Sequence, residues 1–170
     1  MKNGIKYAKA AAEMLNRNFM EGDSSGNCVK LDVLGMVNKL GGVVYEQGYI
    51  GVNGNSMIIK DDGSFDIYVS AMDSEDRQRF TIAHELGHYF IHYLQDASGT
   101  PKTQYYRTSY VQGGREEYEA NIFAASLLMP EQNFKQRFEL RGGDLSTVAK
   151  DFGVSIAAAG VRARSLGLII

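Results

Sequence analysis

His84-Glu85-Leu86-Gly87-His88 is the stretch that decides how this chain folds and what it can do. Two residues four apart on an α-helix stand about 40° apart in azimuth and roughly 6 Å apart along the axis. Two imidazoles so placed can share one tetrahedral Zn²⁺. Glu85 follows the first of them and lies beside the metal, placed to take a proton from a metal-bound water. Working outward, Asp73 or Ser74 can cap the helix. Arg77, Phe80, Ile82, His84, His88 and Ile91 then carry it to about Tyr93.

The rest of the chain is consistent with an ordinary folded domain around that helix. Its 170 residues suffice for one hydrophobic core, and 44% hydrophobic with 22% charged residues is a globular balance. A net charge of −2 gives no overall attraction to nucleic acid. Cys28 is the one cysteine, so neither an internal disulfide nor a Cys-rich zinc site can form, and the metal case rests on His and Glu. Near the N-terminus Ile5, Ala8, Ala12, Leu15 and Phe19 recur at helical spacing, interrupted by Glu13, Asn16 and Arg17, unlike an export signal. No segment is long and apolar enough to span a bilayer. The expected compartment is the cytoplasm.

The pattern along the chain predicts an α+β fold, mostly helical. A first helix covers about 3–20, and a second covers 31–40 with Asp32 at its start and Gly41-Gly42 as its stop. Three short strands follow at 43–47, 56–60 and 65–70, the last two joined through Asp61-Asp62-Gly63-Ser64 as a hairpin. They are expected to form a small antiparallel sheet beside the His84–His88 helix. Residues 95–114 read as a connector without apolar periodicity, and such loops are commonly functional. A further helix starts near Arg115 and stops at Met129-Pro130, and two or three shorter helices finish the chain.

A catalytic zinc site needs a third protein ligand and leaves one position open. The candidates are Glu116, Glu117 and Glu119. Spacing favours Glu117, because Asn121 lies four residues later on the same face and its amide could fix the tautomer of a ligand histidine. His92 is a further turn along; three ligands in succession on a straight helix would spread over roughly 12 Å, too far for one metal. A pattern with Gly at 91 and His at 94 would mark a metzincin, but Ile91 and Leu94 stand there.

The segment from Arg79-Phe80-Thr81-Ile82-Ala83 through His88, then His92, then Glu117-Tyr118-Glu119-Ala120-Asn121-Ile122-Phe123 through Met129-Pro130, resembles the ImmA/IrrE family of metallopeptidases. The resemblance implies a zincin-like fold with a gluzincin-like HEXXH site: His84, His88 and Glu117 on Zn²⁺ (Mn²⁺ is the alternative) and Glu85 as catalytic base. It implies an endopeptidase that cleaves a helix-turn-helix repressor of a prophage, mobile element or stress regulon. Chemistry of this kind draws on a second oxyanion donor, for which Tyr105, Tyr106 and Tyr110 of the connector are candidates.

Residues 1–130 are expected to hold the peptidase core and 131–170 a C-terminal segment packed in the same domain. In that segment Asp144–Ser155 reads as a helix, a Gly turn and a Ser cap, and a second helix follows, resembling a helix-turn-helix. Arg162 and Arg164 are its main cations, and six basic against four acidic residues across 131–170 is a weak stripe for direct DNA binding. The competing functional class is a non-catalytic, metal-stabilised module that binds a repressor or DNA. Glu85 argues against it, since a purely structural site has no use for a base.

Overall fold

The computed structural model describes residues 2–20, 30–48, 55–94, 105–107 and 114–170. Helix α1 (Lys2–Met20) turns its small residues Ala8 and Ala12 and the side chain of Leu15 into the core. The Asn16 amide, also buried, donates to the Leu127 carbonyl at 2.8 Å and ties α1 to α4 (Arg115–Leu128). Helix α2 (Val33–Lys39) begins at Asp32, whose carboxylate accepts from the Gly35 amide at 2.9 Å.

Strands β1 (Gly42–Gln47), β2 (Asn55–Ile59), β3 (Phe65–Ser70) and β4 (Tyr105–Arg107) form one sheet in the order β1-β3-β2-β4. The expected β2–β3 hairpin is present, with Met57 opposite Ile67 and Ile59 opposite Phe65. Two features correct the expected three-stranded antiparallel sheet. β1 pairs with β3 in parallel, Val44 opposite Ile67, so the sheet is mixed. A fourth strand, Tyr105–Arg107, falls inside the stretch read as a connector and pairs antiparallel with β2 at the sheet's edge. Both pairings are between segments apart in sequence, where turn chemistry gives no signal.

Met57, Ile59, Phe65, Ile67 and Val69 of the sheet are buried in the same core as Ile82, Leu86 and Ile91. The Phe65 ring stands 4.6 Å from that of Tyr89, and the Tyr89 hydroxyl donates to the Gly63 carbonyl at 3.3 Å. The hairpin turn is thereby fastened to the helical turn that carries Tyr89.

Helix α3 (Glu75–Gly87) starts at Ser74, whose hydroxyl accepts from the Arg77 amide, with Glu75 and Asp76 favourably placed in its first turn. It does not continue to Tyr93 as an α-helix. Residues His88–Tyr93 widen into a π-helical turn, closed by the Leu94 amide on the Tyr89 carbonyl at 3.0 Å. Such turns are rare and concentrate at functional sites.

Helices α5 (Glu131–Leu140), α6 (Leu145–Phe152) and α7 (Ile156–Ser165) complete the chain. α6 ends at Gly153 in the left-handed conformation (φ 62°), and Ser155 caps α7. Two buried arginines join these helices to the rest. Arg79 on α3 donates through Nε to the Gly153 carbonyl at 2.9 Å and through Nη2 to the Phe152 carbonyl at 3.3 Å. Arg162 on α7 donates to the Met129 carbonyl at 3.0 Å. Arg162, one of the two main cations of that helix, is 4% exposed and caps the end of α4. Among the described residues no helix is long and apolar enough to cross a membrane.

Candidate metal centre

The site lies where the end of α3 meets the start of α4. The two helices approach closely at Gly87: a methyl group there would stand 3.1 Å from the Cα and the carbonyl oxygen of Ala120 and 3.2 Å from the Cβ of Phe123. Gly87, between Leu86 and His88, thus sets the helix spacing across which the side chains meet.

His84 and His88 point their Nε2 atoms at each other, 3.1 Å apart. Glu117 reaches both from α4, with Oε2 3.3 Å from His84 Nε2 and Oε1 3.2 Å from His88 Nε2. Among the described residues this is the group of His, Cys, Asp or Glu placed to hold a metal ion, its ligand atoms all within 4.8 Å of one another. Zinc bonds of ~2.0–2.2 Å in a tetrahedron separate neighbouring donors by about 3.3–3.6 Å. The observed spacings fall at or just under that range, so two imidazoles and a carboxylate fit the ion.

The electrostatics agree. Burial pushes the His84 imidazole below its ordinary value, against the pull of Glu117 and Asn121 toward the charged form. Burial, with smaller contributions from His84 and His92, lowers His88 to about 3. Neutral rings are the ligand-competent form. His84 Nδ1 lies 3.0 Å from the Asn121 side-chain oxygen, the contact expected from the Glu117/Asn121 spacing.

Glu85 is 2% exposed on the turn that carries both histidines. Glu116, at the start of α4, takes no part in this group, and Glu119 faces elsewhere: its Oε1 accepts from Arg115 Nε at 2.8 Å, and its Oε2 lies 3.4 Å from His92 Nε2. Tyr105 and Tyr106 lie on the edge strand, opposite Ile58 and Met57. Tyr110 lies outside the described residues.

The IrrE N-terminal-like domain model, Peptidase_M78, matches residues 52–164, a span that contains the whole of this site. The chain belongs to that metallopeptidase family. A Mycobacterium tuberculosis transcriptional regulator has a similar structure, with a TM-score of 0.56 and 18% identity over 91% of this chain and 45% of that one. This M78 chain therefore spans less than half the length of that regulator, and the likeness is one of fold. No curated protein matches the sequence.

Proposed function

We propose that this M78 chain is a zinc-dependent endopeptidase that hydrolyses a peptide bond in a regulatory protein, its substrate being a helix-turn-helix repressor of a prophage, mobile element or stress regulon. The observation that carries the proposal is the convergence of His84 Nε2, His88 Nε2 and the Glu117 carboxylate at tetrahedral spacing. Family membership supports peptidase chemistry, and the choice of a repressor rests on the resemblance noted in the sequence. Zinc held by these three residues would supply the Lewis acidity that makes water nucleophilic near neutral pH and polarises a carbonyl.

The chain's own groups do the remainder. Glu85 accepts a proton from the attacking water and returns it to the leaving amine. Asn121 accepts from His84 Nδ1–H, which leaves the Nε2 lone pair directed at the shared position. A phenol from Tyr105, Tyr106 or Tyr110 serves as the supplementary oxyanion donor. Residues 131–170 belong to the same domain as the site, held by Arg79 and Arg162. With Arg162 turned inward, a protein partner suits this segment better than DNA, and the cytoplasm is the working compartment.

Elemental analysis tests the metal: near-stoichiometric zinc in the native chain, lost in Glu117→Ala, is the expected result. Absence of zinc from the native chain even after it is added back would overturn the peptidase reading. Glu85→Gln then separates catalysis from mere binding, since metal should remain while repressor cleavage stops.

A further inference from the structure

Helix α4 holds the two ligand histidines by different routes. Asn121 meets His84 directly, but His88 Nδ1 lies 3.1 Å from His92 Nδ1. His92 Nε2 in turn lies 3.4 Å from Glu119 Oε2, and Arg115 Nε holds the other oxygen of Glu119 at 2.8 Å. The side chains of His92 and Glu119 are 13% and 7% exposed, so this row is largely sheltered from water.

We infer that His92 and Glu119 form a positioning relay that orients His88 for the metal. The inference rests on the metal reading above and deepens it. Once His88 Nε2 serves as a donor, its single proton must sit on Nδ1, so His88 donates to His92 Nδ1. The proton of His92 is then on Nε2 and faces the Glu119 carboxylate, where an acceptor is present. Every contact in the row is satisfied by that one assignment. A carboxylate behind a ligand imidazole fixes its tautomer and raises its basicity; here an intervening imidazole transmits the effect.

His92 follows His88 by one turn within the π-helical segment, with ring centroids 5.1 Å apart and ring planes tilted by 46°. Gly4 of α1 completes the arrangement. A methyl group there would stand 2.1 Å from Glu119 Oε1 and 3.1 Å from Arg115 Nη2. The first turn of α1 thus presses against Glu119 on the side away from His92.

The test measures zinc affinity by competition with a chromophoric chelator, for the native chain, His92→Phe, Glu119→Ala, their double variant and Gly4→Ala. Thermal unfolding of each metal-free protein confirms that it is folded. The relay predicts 10–100-fold weaker zinc binding in each single variant, as for other groups that support metal ligands. The double variant should be no worse than the worse single, because both break one chain. Glu119→Gln, which keeps an acceptor for His92, should recover part of the loss. The cobalt(II) absorption bands should shift in His92→Phe and Glu119→Ala. Gly4→Ala covers the case in which those variants fail to fold, since it displaces only the end of a flexible side chain.

Zinc affinity within twofold of native in the folded variants would overturn the relay and leave the metal site standing. Strictly additive losses in the double variant would overturn it as well. A native chain that binds no zinc would remove both the relay and the metal reading.

Discussion

Two imidazoles can share a metal only while both are neutral, and here burial keeps them so. His88 takes up a proton only near pH 3 in the folded protein, against about 6.5 in an unfolded chain. Between those values the unfolded state binds the extra proton, so stability rises with pH across that window and is lost as pH falls through it. Urea denaturation of chelator-treated protein should therefore show a midpoint falling from pH 7 toward pH 4. The limiting slope is about 1.4 kcal/mol per pH unit for one such histidine, and His88→Asn should flatten it. A native midpoint independent of pH over that range would contradict the burial argument. At the same scale, Glu85→Gln should retain zinc while cleavage falls by about 10²–10⁴-fold, the usual worth of a positioned general base. Comparing bound zinc with single-turnover cleavage of the proposed repressor substrate checks both halves. The pair His84 and His88 was legible in the sequence because one helical turn fixes their relation. The choice among Glu116, Glu117 and Glu119 was narrower but open. Residues 117 and 119 lie 200° apart around an α-helix, and only the placement of α4 against α3 determines which one faces the histidines.

At the scale of elements, the close approach of α3 and α4 rests on small residues. A methyl group at Gly87 would crowd the Ala120 backbone at 3.1 Å, whereas the contact at Gly4 is with the end of a side chain. Gly87→Ala should cost about 1–3 kcal/mol through overpacking, and by prising the ligand helices apart it should also weaken zinc binding. Chemical denaturation and a zinc titration on the same variant check the two effects. Helix ends supply a second case. The last carbonyls of an α-helix lack intrahelical donors, and those of α6 and α4 are met by the buried guanidinium groups of Arg79 and Arg162. Arg79→Met keeps the aliphatic stem but strands two carbonyl groups, which should destabilise the fold by about 1–3 kcal/mol in urea melts. Nothing in the local sequence distinguishes these arginines from surface cations. Arg162 reads in the sequence only as one of the two main cations of its helix. Its partner lies 33 residues away, so its role is set by packing.

For the molecule as a whole, the metal would join the two helices that the fold has already brought together. A ligand that binds only the folded state raises its stability as RT ln(1 + [L]/Kd), about 2.7 kcal/mol at a hundredfold excess over Kd. Zinc should therefore raise the thermal unfolding midpoint of the native chain, and chelation should reverse it. Glu117→Ala should show neither response, a comparison that calorimetry makes directly. The C-terminal helices should melt in the same transition as α3, because Arg79 and Arg162 bind them to the elements that carry the site.

The sequence by itself determined what is local. It placed α1, α2, the β2–β3 hairpin and the start of α3, with Asp32 at the head of α2 and Asp73 or Ser74 at the head of α3, because capping, turn chemistry and apolar period act over a few residues. It also indicated a group able to hold a metal ion, since an i, i+4 pair of histidines can share one. The tertiary structure alone decided which segments become neighbours. β1 runs parallel to β3, Tyr105–Arg107 joins the edge of the sheet, and the helix widens after His88, where His92 lies against His88. Glu119, two residues from Glu117, lies against His92, which in turn lies against His88. Each of these depends on hydrogen-bond partners supplied from distant parts of the chain, and no local preference encodes that choice.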